Sequence, residues 1–153
     1  MAESYKRVEI PHHVLKYINT ELSMYRVYKA AIEEMEKDIA DLKAQSKNYS
    51  FNPSVSSSGF GSNPAQDAAI RISVLEEKIK AKKWRTDKVE KVLQLFSRND
   101  DAMNIIRQKY LSGADFNNEQ IMAAVGLASN RNRYYELLNR IQYSAGVIFG
   151  VMP

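Results

Sequence analysis

The chain has no cysteine. That absence excludes a disulfide framework and any thiolate metal centre. It also lacks an apolar run approaching the ~20 residues a helix needs to cross a bilayer. The opening stretch MAESYKRVEIPHH contains no apolar segment of the kind a secretory signal carries. Without secretion, the glycosylation sequon Asn48-Tyr49-Ser50 is idle. A cytoplasmic protein without membrane association is therefore expected. The few glycines form no phosphate-cradling loop, and the sequence holds no nucleophile motif and no paired carboxylates in a perturbing setting. His12 and His13 are adjacent and so point in different directions from a helix, which suits a polar pair at a helix end better than a metal site. No enzyme, cofactor or metal is expected.

What the chain does have is apolar content, 44% of 153 residues, enough for one cored domain or a small domain plus a long helical element. Its net charge of +4 is unevenly placed. Residues 1–47 carry eight basic and eight acidic side chains, and residues 48–63 carry none. Residues 64–97 carry eight basic against five acidic, and residues 98–153 six against five. The excess lies in Lys78, Lys80, Lys82, Lys83, Arg85, Lys88 and Lys91. Such a run either neutralises phosphates, adding salt-dependent affinity blind to sequence, or is the solvated face of a helix.

From Pro11, which suits a first helical turn, nothing interrupts a helix until about Lys47. Leu15, Ile18, Leu22 and Tyr25 form an apolar stripe. Tyr28, Ile32, Met35, Ile39 and Leu42 continue it after a three-residue skip, which resembles a stammer in a heptad pattern. A helix this long cannot hide its stripe alone and needs a partner helix. Residues 48–63, NYSFNPSVSSSGFGSN, read as a flexible Ser/Gly loop in which Phe51, Val55 and Phe60 stand isolated. Helix resumes from Pro64 to residue 97, with Ile72, Leu75 and Ile79 and then Val89, Leu93 and Phe96 on its apolar side. It is either continuous or bent near Thr86-Asp87, where Thr86 would cap a new start. Either way it folds back on the first helix as an antiparallel hairpin. The hairpin's apolar stripes exceed what two facing helices need, which makes it the expected element of self-association or of contact with another protein. A short helix from Asp101 to Leu111 presents Met103, Ile106 and Tyr110 before Ser112-Gly113-Ala114-Asp115 ends it.

The stretch 118–143 reads as two helices around a tight turn. The first starts at an Asn cap, Asn117 or Asn118, and carries Ile121, Met122 and Val125. Gly126 supplies the positive φ that a sharp turn demands. Leu127 plugs the turn and Ser129 is the expected cap of the second helix. That helix places Tyr134, Leu138, Ile141, Ala145 and Ile148 on one face, and its first turn, Asn130 to Arg133, is free of acid. A DNA-reading helix-turn-helix has this form, its second helix entering the major groove by the N-terminal turn. Arginine holds guanine O6 and N7 through two hydrogen bonds, and asparagine pairs likewise with adenine N6 and N7. The expected contacts to double-stranded DNA are Asn118, Ser129, Asn130, Arg131, Asn132, Arg133 and Arg140, with Lys82, Lys83 and Arg85 as auxiliary phosphate contacts. Arg131 and Arg133 lie about 200° apart around a helix and divide the work, Arg131 to a phosphate and Arg133 to a base.

The order of these pieces resembles the RinA/ArpU-like family of phage and prophage late-gene transcription regulators. From about Tyr25 it covers the Tyr-rich first helix, the Ser/Gly loop ending in SNP, the helix AAIRISVLEEKI, the segment VEKVLQLF, and IIRQKYLSG ahead of the helix-turn-helix. The last unit is also similar to the promoter-reading C-terminal domain of sigma factors. Ser129 to Tyr135 match the start of the family's recognition helix. The chain departs from the pattern at Ala128, where a capping Ser or Thr is usual, and at Asn132, where a small or apolar residue often sits. The resemblance implies an activator of packaging and morphogenesis genes that recruits host RNA polymerase. The competing expectation is a DNA-packaging recognition protein of the small-terminase kind, in which the DNA-binding unit commonly comes first in the chain rather than last. A helical adaptor that never touches DNA is the third. The expected fold is all-α, a long helical hairpin (1–47 and 64–97 around the loop 48–63) followed by a compact C-terminal helix-turn-helix domain (98–153).

Overall fold

The computed structural model describes residues 5–50 and 63–153, with the side chains of 48–50 left aside. All regular structure among them is helical. Five α-helices follow in order: α1 His12–Ser50, α2 Pro64–Leu95, α3 Asp100–Ile106, α4 Asn118–Val125 and α5 Arg131–Phe149, with a π-helical turn at Arg107–Leu111 extending α3. The all-α expectation holds. α1 continues three residues past the expected stop at Lys47, and residues 51–62 of the expected loop lie outside the described residues.

In α1 the positions Ile18, Glu21, Tyr25, Tyr28, Ile32, Met35, Ile39 and Leu42 are buried or half-buried and alternate steps of three and four, a heptad in which Glu21 occupies a core position. The Glu21 carboxylate faces Arg85 at 3.7 Å. Leu22 is buried as well, because more than one helix covers that end of α1. α2 runs as one continuous helix through Thr86, which therefore caps no new start. Thr86 is itself buried, in step with Ala68, Ile72, Leu75, Ile79 and Val89, so the seam passes through it. The Asn63 side chain accepts hydrogen bonds from the N–H of Ala65 (3.1 Å) and Gln66 (3.3 Å), and Pro64 opens the helix where a missing N–H costs nothing.

The chain divides into two compact units, Tyr28–Trp84 and the remainder. The boundary therefore falls inside both long helices rather than at residues 47 and 97. In the first unit α1 and α2 pack antiparallel through Ile32, Leu42, Ala68 and Ile79, and Lys83 meets Glu36 at 3.4 Å. That exposed pair contributes at most about 1 kcal/mol.

In the second unit, Ile18 and Leu22 of α1 and Val89 and Val92 of α2 join the short helices in one core. Asn99 caps α3 by accepting from Ala102 N–H at 3.0 Å, and Asp100 and Asp101 favour the positive helix start. Beyond Ile106 the helix widens into the π-turn instead of continuing regularly to Leu111. Tyr110 at this turn is buried, and its hydroxyl donates to Asn19 Oδ1 at 2.6 Å. Gln142 Nε2 on α5 donates to the same Asn19 oxygen and to the Tyr110 hydroxyl, both at 3.2 Å. This closed polar triad ties α1, the π-turn and α5 together without an unsatisfied group.

Candidate nucleic-acid interface

The α4–turn–α5 element is built from backbone rules that the sequence states openly. Asn117 caps α4 in a reciprocal box: its side chain accepts from Gln120 N–H (2.8 Å), and Gln120 Oε1 accepts from Asn117 N–H (2.9 Å). Asn118 is thus the first helical residue and not the cap. At the other end Gly126 has φ 78°. Leu127 N–H returns to the Met122 carbonyl at 2.9 Å and Gly126 N–H to that of Ala123 at 3.4 Å, the Schellman closure. Leu127 is buried as the expected plug.

The helix start differs from expectation by one residue. Asn130 N–H bonds back to the Leu127 carbonyl at 2.9 Å, which makes Ala128 and Ser129 the corners of a turn. The cap of α5 is then Asn130, whose side chain accepts from Arg133 N–H at 3.3 Å. Ser129 remains exposed in the turn. Asn and Ser cap equally well, so the tight turn and not residue preference sets the register.

The expected contact residues are distributed as follows. Arg131 Nη1 donates to both carboxylate oxygens of Glu119 on α4, at 2.7 and 2.9 Å, in the open. Asn132 is exposed and lies about 200° from the buried Tyr134, on the side of α5 turned from the core. Arg133 lies on the flank toward α3, its Nε 3.8 Å from Asp101 Oδ2. Ser129, Arg131 and Asn132 accordingly share the exposed start of α5, with Arg133 beside them. Asn118 is engaged elsewhere: its Oδ1 accepts the Tyr134 hydroxyl at 2.8 Å, which locks α4 to α5. Arg140 is also engaged, with Glu136 at 2.8 Å and with its guanidinium 4.5 Å from the Tyr5 ring centre. Of the auxiliary residues, Lys82 is half-buried, Lys83 faces Glu36 and Arg85 faces Glu21. Lys82 and Lys83 belong to the hairpin unit and not to the unit that carries α4 and α5.

Asn139 went unnoticed in the sequence. It is buried on α5 and clamps the segment before α1, accepting from Val8 N–H at 2.9 Å and donating to the Val8 carbonyl at 2.9 Å. The Tyr5 hydroxyl donates to the same Asn139 oxygen. Residues 5–8 therefore lie along the middle of α5, which leaves its first turn as the exposed part of that face. The signal in the sequence was slight: Asn139 follows Leu138 at the edge of an apolar stripe, where polar residues are usually solvated.

No family model, no curated protein and no solved structure matches the chain, so the geometry of this element carries the functional reading.

Proposed function

We propose that the chain is a sequence-specific double-stranded DNA-binding protein that reads the major groove with the first turn of α5. The observation that carries this reading is the acid-free start of a helix, Asn130 to Arg133, exposed through Asn132 and held against a second helix by a Gly126 turn of fixed geometry. Asn132, turned furthest from the core, is placed for an adenine edge, and Arg133 beside it for a guanine. Arg131 reaches a phosphate and exchanges its Glu119 partner for it; Glu119 keeps the guanidinium pre-positioned meanwhile. The resemblance of the chain to the phage late-gene regulators extends the proposal to a transcription activator working with host RNA polymerase.

The test is selection of a binding site from a random DNA library with the purified chain, followed by titrations at two salt concentrations. Asn132→Ala and Arg133→Ala should each lose roughly 1–3 kcal/mol, confined to preference at one base pair. Arg131→Ala should weaken all sequences alike and lower the salt slope by about one. If the chain enriches no sequence and retards no DNA at low salt, the proposal is wrong. Transcription by bacterial RNA polymerase from a template bearing the selected site then tests activation.

A further inference from the structure

We propose that the hairpin unit is a homodimerisation element, two copies packing side by side through the face that carries Ile70 and Val74. These two side chains are 56% and 49% exposed, whereas the seam toward α1 is already filled by Ala68, Ile72, Leu75 and Ile79. α2 thus has apolar residues on two sides, one spent on α1 and one facing water. Ile70 and Val74 lie one turn apart on the same side of α2, so a helix laid along that side covers both.

The charges around the strip select the partner. A shallow groove runs between the two helices here, with Asp38 and Asp41 on the α1 bank and Arg71 and Lys78 on the α2 bank. All four are exposed, and among the described residues none of them forms an ion pair or side-chain hydrogen bond. One face therefore holds two acids, two bases and an apolar strip, sorted by sign onto its two helices. Such a face complements itself. The Glu36–Lys83 contact marks the antiparallel register, which sets Asp41 level with Lys78. A two-fold axis along the hairpin lays α1 of one copy on α2 of the other at the same level. Asp41 then meets the partner's Lys78, Asp38 follows one turn away, and Ile70 and Val74 leave water against the partner's α1. The other two-fold arrangement, with its axis across the hairpin, stacks α1 on α1 and sets acid against acid, so it is disfavoured.

The experiment is sedimentation of the full chain in the absence of DNA. It therefore reads self-association even if the proposed DNA reading fails. A dimer is expected. Ile70→Glu with Val74→Glu should raise its dissociation constant at least about a hundredfold while helicity and melting of the monomer persist, since neither residue is in the monomer's core. A charge exchange guards against a merely unfolded variant. Asp38→Lys with Asp41→Lys, and separately Arg71→Glu with Lys78→Glu, should each self-associate at least about tenfold more weakly, and mixing the two variants should restore a dimer. A monomeric native chain, a dimer indifferent to these substitutions, or a ring of many subunits of the kind packaging requires would each overturn the proposal.

Discussion

The Tyr134 hydroxyl illustrates how single side chains fix the candidate interface. It is buried at the start of α5 and donates to Asn118 Oδ1 across the turn. Tyr134→Phe is expected to cost about 1 kcal/mol, a few degrees in melting temperature, with preference among DNA sequences unchanged. If that substitution alters base preference with no thermal effect, Asn118 is a reading residue after all. The tyrosines also give the fold an alkaline limit. Burial pushes the Tyr134 phenol up to about 12. Burial, and then the Glu90 carboxylate that accepts its hydroxyl at 2.9 Å, push Tyr25 up to about 12. Burial raises Tyr110 as well. Each phenol ionises near 10 in the unfolded chain and later in the folded one. The stability they contribute is complete below about pH 10 and is lost as pH rises toward 12. Unfolding titrations from pH 8 to 12 should show falling stability with proton release on unfolding; a flat profile across that range would contradict it.

At the scale of elements, legibility followed locality. The helices, the Gly126 turn and the Tyr134–Ile148 stripe depend on residues three or four apart, and the structure forms all of them, with the third helix widening into a π-turn after Ile106 where a regular helix to Leu111 is expected. The start of α5 moved by one residue because two adjacent good caps, Ser129 and Asn130, compete and the turn hydrogen bond to Leu127 decides between them. Features resting on distant partners were not legible. Nothing near Asn139 in the chain announces Val8, 131 residues away, and nothing near Tyr110 announces Asn19. The burial of Leu22 has the same origin, since other helices surround it while Glu21, one residue earlier, holds a heptad position. The Asn139 clamp has a consequence that can be measured. Asn139→Ala removes both partners of the Val8 backbone, so amide exchange at Val8 should accelerate by about tenfold or more while the exchange of α1 residues 18–27 is unchanged. Unchanged protection at Val8 would place the anchoring of this segment elsewhere.

For the whole molecule, the division into units sets which part of the chain can be removed. A hairpin ending at residue 97 would invite deletion of residues 1–63 as a way to isolate the DNA-binding part. Ile18 and Leu22 argue against that cut, because both lie in the core that contains Ile105, Ile121, Tyr134 and Ile141. Losing large buried side chains costs about 2–5 kcal/mol each, so losing two of them, together with the rest of the helix that covers this core, is comparable to the roughly 5–15 kcal/mol that holds a domain folded. The separable piece is instead residues 28–84. α1 and α2 already run side by side at its base, where Tyr25 meets Glu90 at 2.9 Å, so a short glycine-rich loop can join residue 27 to residue 85. The excised chain is expected to unfold cooperatively, to sediment as a monomer, and to keep the base preferences of the first turn of α5. It should bind the selected site more weakly than the proposed dimer, because one copy would carry one such helix and a dimer two. The 1–63 deletion should be unfolded by circular dichroism. If the reverse is found, with the 1–63 deletion folded and the 28–84 excision unfolded, then the lower halves of α1 and α2 are not part of the unit that carries α5.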